Sequence, residues 1–209
     1  MSAQEILRGR LCDLQRSTSS SQGSKEFYPF LDVKTVLTPQ KIRECISTFP
    51  LFRDNELEIT RFVNIIADNN LKIFAILLRN GHEQFILDFL FRRHHDSSIP
   101  TTEESLHFLP KHVAQDFVNR LWAFDYVVLR KGEIRRDIEK MQILPFLEDE
   151  QIDEGAYGSV FKVKILSSCQ RLVAPTGSEV QDFYKLARIA ANIASGNCHC
   201  AQAAEIWQY

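Results

Sequence analysis

Long apolar runs are missing from this chain. Charges break its hydrophobic stretches well short of the ~20 residues that a bilayer-spanning helix needs, so no membrane segment is expected. A basic excess is missing too: 25 Lys and Arg stand against 27 Asp and Glu, for a net charge of −2. That balance supplies no positive field for a nucleic-acid partner. The arginine pairs Arg92-Arg93 and Arg135-Arg136 read as solvated helix faces. The five cysteines, Cys12, Cys45, Cys169, Cys198 and Cys200, are odd in number and widely spaced, which argues against a disulfide framework. The N-terminus, with Gln4, Glu5, Arg8 and Arg10, does not read as a secretory leader. An intracellular protein, cytoplasmic or nuclear, is the expectation. No nucleophile–base pair and no phosphate-loop lysine stand out. His94-His95-Asp96 reads as a solvated helix end, and His107 and His112 as structural. Cys198-His199-Cys200 offers too few well-placed groups for a closed zinc site.

The chain does hold enough apolar residue, 44% of 209, for one moderate packed domain or two small ones. The first half reads as a series of short helices. Ile6, Leu7, Leu11 and Leu14 fall near helical spacing over Glu5 to Leu14, and the serine-rich Ser17 to Ser24 comes next as a flexible linker. Phe27 to Val36 is an aromatic segment suited to packing against the helical domain after it. Thr38-Pro39 places an N-cap before a proline at the first helical position. It opens a helix that buries Ile42, Cys45, Ile46 and Phe49 and ends at Pro50. Asp54 or Asn55 caps the next, over Glu56 to Ala67. A turn at Asp68-Asn69-Asn70 leads to a helix over Leu71 to Arg79, stopped by Asn80-Gly81. Helices over Glu83 to Arg93 and Lys111 to Phe124 complete an antiparallel bundle. Ile134 to Met141 reads as a charged linker helix.

The chemically informative stretch is Ile152-Asp153-Glu154-Gly155-Ala156-Tyr157-Gly158-Ser159-Val160-Phe161-Lys162-Val163. It reads as a strand, a tight turn and a second strand. Gly155 and Gly158 flank Ala156 and Tyr157, so the backbone can bend sharply and approach a ligand with no Cβ in the way. Val160, Phe161, Val163 and Ile165 suit a strand, with Ser159, Lys162 and Lys164 as polar positions between them. A hairpin of this kind can lay its backbone N–H groups over a phosphate chain. Ile152 and Val160, one on each strand, can close as an apolar lid on a flat base. Before the hairpin, Glu148-Asp149-Glu150 reads as a solvated loop. After it, Leu172 to Gly177 reads as a short strand and turn. Leu186 to Ser195 reads as an alanine-rich helix, and Ala201 to Tyr209 as a further helical turn.

This stretch resembles the glycine-rich loop of eukaryotic protein kinases, G-x-G-x-x-G-x-V. Gly155, Gly158 and Val160 match the second and third glycines and the valine, while Asp153 stands at the first glycine. The lead-in Met141-Gln142-Ile143-Leu144-Pro145-Phe146-Leu147 resembles the segment before the catalytic domain in a group of fungal kinase-domain proteins. So does the Leu109-Pro110 step before a helix with Trp122. The resemblance implies ATP binding through Ile152, Gly155, Ala156, Tyr157, Gly158, Ser159 and Val160, weakened by the acidic Asp153. It also implies a lysine on the next strand that grips the α- and β-phosphates; Lys185 is the nearest candidate, and its context matches poorly. No His-Arg-Asp or Asp-Phe-Gly segment occurs, so neither phosphotransfer nor Mg²⁺ held by this chain is expected.

The expected fold class is α+β: a mainly helical N-terminal region, a partial kinase-like small-lobe hairpin and a short C-terminal helix. The expected divisions are a flexible segment over 1–26, a helical domain over 27–130, a linker over 131–145, a partial small lobe over 146–185 and a divergent tail over 186–209. The change of character near Phe183 reads as the mark of a truncated or mis-spliced kinase-domain product. The alternative is a non-enzymatic helical protein-interaction module in which the hairpin only packs.

Overall fold

The computed structural model describes residues 2–18, 24–52, 55–130, 141–155, 158–171, 180–189 and 202–207. Among these are seven α-helices: α1 Ala3–Asp13, α2 Phe30–Val36, α3 Pro39–Ile46, α4 Glu56–Asn69, α5 Leu71–Asn80, α6 Ile86–Phe91 and α7 Lys111–Phe124. The strands are β1 Arg16–Ser17, β2 Glu26–Phe27, β3 Leu129–Arg130, β4 Phe146–Gly155, β5 Gly158–Leu166, β6 Gln170–Arg171, β7 Val180–Ile189 and β8 Gln202–Trp207. The chain divides into two compact units. One comprises Met1–Gln15 and Tyr28–Asp125, the other Arg16–Phe27 and Tyr126–Tyr209.

The helical unit is explained by its caps and stripes. Ser2 and Glu5 form a capping box: the Glu5 amide donates to Ser2 Oγ at 3.2 Å, and the Ser2 amide donates to Glu5 Oε2 at 2.7 Å. Thr38 caps α3 with Pro39 in its first turn, and Asn55 caps α4 by accepting from the Glu58 amide at 3.2 Å. The helix α5 is apolar around most of its circumference, and Leu71 and every residue from Ile73 to Leu78 are buried. A helix of that character belongs in the middle of a core. The stripes of α1 (Leu7, Leu11), α3 (Ile42, Cys45, Ile46), α4 (Ile59, Phe62, Val63, Ile66) and α7 (Val113, Phe117, Leu121, Phe124) complete the same core. Tyr28 stacks on Phe124 with ring centroids 4.3 Å apart.

At the end of α5, Gly81 takes φ +79°, the left-handed cap that glycine alone adopts freely. A Cβ there would meet the Arg8 guanidinium at 3.3 Å. Arg8 occupies that space because its Nε donates to the Leu78 carbonyl at 2.9 Å and its Nη2 lies 3.2 Å from Glu83.

The second unit is built from strands. β4, β5, β7 and β8 form a four-stranded antiparallel sheet in sequence order, while β1 pairs with β2 antiparallel and β3 with β6 in parallel. Along β5, Val163 and Ile165 are buried whereas Lys162 and Lys164 are half-buried, the period of two of a strand with one covered face. Phe27 is buried and meets Tyr126 edge-on at 5.6 Å. The Val127 amide donates to the Ile143 carbonyl at 2.9 Å.

The mixed helix-and-strand class is observed. The C-terminal helix is not: Leu186 to Ile189 continue β7, Gln202–Trp207 is β8, and 190–201 lie outside the described residues. Alanine-rich composition favours a helix locally, but β7 closes an eight-pair ladder with β5, from Ser159↔Ala187 to Leu166↔Val180. Such a ladder satisfies a whole row of backbone groups and outweighs propensities of a few tenths of a kcal/mol per residue. Within 1–26, expected to be a flexible segment, α1 packs in the helical core and Arg16–Ser17 pairs with Glu26–Phe27. Phe30–Val36, expected only to pack, is a helix. The linker helix expected over Ile134 to Met141 and the strand and turn expected over Leu172 to Gly177 lie almost wholly outside the described residues.

Candidate functional site

The glycine-bearing hairpin forms as the sequence indicates. β4 and β5 pair antiparallel, and the ladder closes on Gly155↔Gly158, with two residues between them in the chain. Those two, Ala156 and Tyr157, lie outside the described residues, as do the side chains of Ser159 and Val160. The backbone positions of Gly155, Gly158, Ser159 and Val160 are strand positions.

Ile152 holds a special place. The register runs Gln151↔Phe161 and then Asp153↔Val160, so Ile152 is an extra residue with no cross-strand partner, a β-bulge. Its side chain is 48% exposed. A bulge turns a side chain away from the regular alternation of a strand, and bulges recur beside binding sites for that reason. A second register shift, at Leu147, lies nearer the start of β4. The acidic run Glu148-Asp149-Glu150 is part of β4 and not a loop. Glu148 faces Lys164 across the ladder, with Oε2 and Nζ 2.5 Å apart, and Glu150 faces Lys162. Opposite charges on facing positions support the register.

Lys185 lies on β7 and pairs with Phe161, while Val160 pairs with Leu186. Cross-strand partners share a face and successive residues alternate. Positions 160 and 185 therefore fall on opposite faces of the ladder. Cys198-His199-Cys200 lies outside the described residues, and among those described no group of three or more His, Cys, Asp or Glu side chains is arranged to hold a metal ion.

His94-His95-Asp96, expected to be a solvated helix end, is instead part of a polar network in the helical unit. Asp96 reaches back to the start of α5 and accepts two backbone N–H bonds, from Lys72 to Oδ2 at 2.9 Å and from Ile73 to Oδ1 at 3.0 Å. It is a cap supplied from a distant part of the chain. Burial pushes its carboxyl above the ordinary value, while the two amides and the Lys72 ammonium act in the opposite direction. Asn70 is fully buried between α4 and α5. Its Nδ2 donates to the His94 carbonyl at 2.5 Å, leaving its Oδ1 to accept from His95 Nδ1 at 2.9 Å. Lys72 Nζ meets Asp125 at 2.6 Å. Every group in this network serves another part of the fold, so it is structural. The signal available in the sequence was the position of Asn70 at the junction of two apolar helices, where a polar residue, once buried, needs partners.

Comparison with family models, curated proteins and solved structures gives no match to this chain.

Proposed function

We propose that the strand unit binds the phosphates of ATP through a protein kinase-like hairpin, and that this chain does so without transferring phosphate, as a fragment of a kinase-like protein of the fungal group. The observation that carries the reading is the Gly155↔Gly158 closure beside the bulged, exposed Ile152. Glycines at these two positions keep the turn free of Cβ atoms at its ends, so that its amides can approach phosphate oxygens. Ile152 offers an apolar surface to a flat base. ATP supplies the phosphate anions, and the chain supplies the backbone donors of 155–160. The acidic residue at 153 opposes the phosphates, so binding is weak. Mg²⁺ arrives with the nucleotide, because the chain carries neither an Asp-Phe-Gly nor a catalytic-loop segment to hold it.

Thermal unfolding with and without Mg-ATP tests this reading. A ligand that binds only the folded state, present at a hundred times Kd, stabilises by about 2.7 kcal/mol. For a chain of this size that corresponds to a rise of several degrees in Tm. A midpoint unmoved by millimolar Mg-ATP would leave the hairpin as a packing element.

A further inference from the structure

We draw no further inference here: the strongest candidate, the outer edge of β8 in the four-stranded sheet, has neither the bulges nor the run of carboxylates that guard β4 at the opposite edge, but nothing in the structure shows what covers it.

Discussion

Asp96 shows at the scale of one residue how a buried carboxylate can be both useful and costly. Its two oxygens satisfy amides that the start of α5 would otherwise leave open. Burial nevertheless raises its carboxyl, so folding favours the protonated form relative to the unfolded chain. The stability contributed through this shift is complete below the ordinary carboxylate range and is lost as pH rises through the raised value. Asp96→Asn removes the titration while keeping one acceptor oxygen. Urea unfolding of both chains from pH 3 to pH 7 should therefore show the wild type losing stability relative to the variant as pH rises. Carboxyls held low, such as Glu5 beside the Ser2 amide and Glu44 beside Lys41, titrate alike in both chains and cancel in the difference. A difference independent of pH would contradict this account of Asp96. Asp96→Ala, which removes both acceptors, should cost about 1–2 kcal/mol, the usual range for a lost helix cap.

At the scale of elements, the helices were legible wherever ends and stripe agreed. Lys111–Phe124 was readable from Leu109-Pro110 before it and from Val113, Phe117, Leu121 and Phe124 along it. Thr38-Pro39 marked the start of α3, and Asn80-Gly81 the stop of α5. The hairpin turn was readable because two glycines in a strand-like context leave few other conformations. The bulge at Ile152 was not, since a bulge depends on the register of the partner strand and no single strand records it. The strand β7 was not readable at its second half, because alanine and leucine favour a helix until an antiparallel partner is present. That assignment is testable by sign. Ala187→Thr in a helix would cost about 0.5–0.7 kcal/mol, whereas in a strand threonine is favoured over alanine by up to about 1 kcal/mol. Chemical denaturation of the variant should show no loss, or a gain. A clear loss would return the segment to the helical reading.

At the scale of the molecule, the chain divides into a helical unit and a strand unit. The nucleotide proposal belongs to the strand unit and rests on backbone, since glycines bracket the turn and the residues just before it are acidic. Position 185 on the far face of the ladder adds a specific expectation: Lys185→Ala should leave nucleotide affinity unchanged, in contrast to the loss that a phosphate-gripping lysine would show. The substitutions that should matter are those that alter the turn. Gly158→Val places a branched side chain where the backbone is meant to approach phosphate. Asp153→Gly removes a negative charge from the approach to the triphosphate.

Titration of a fluorescent ATP analogue with Mg²⁺ against the wild type, Gly158→Val and Asp153→Gly tests the glycine hairpin as a phosphate cradle most directly. The account predicts weak saturable binding by the wild type, at least about tenfold weaker binding by Gly158→Val, and severalfold tighter binding by Asp153→Gly, competed in each case by unlabelled ATP. Equal affinity across the three chains, or none in any, would contradict it.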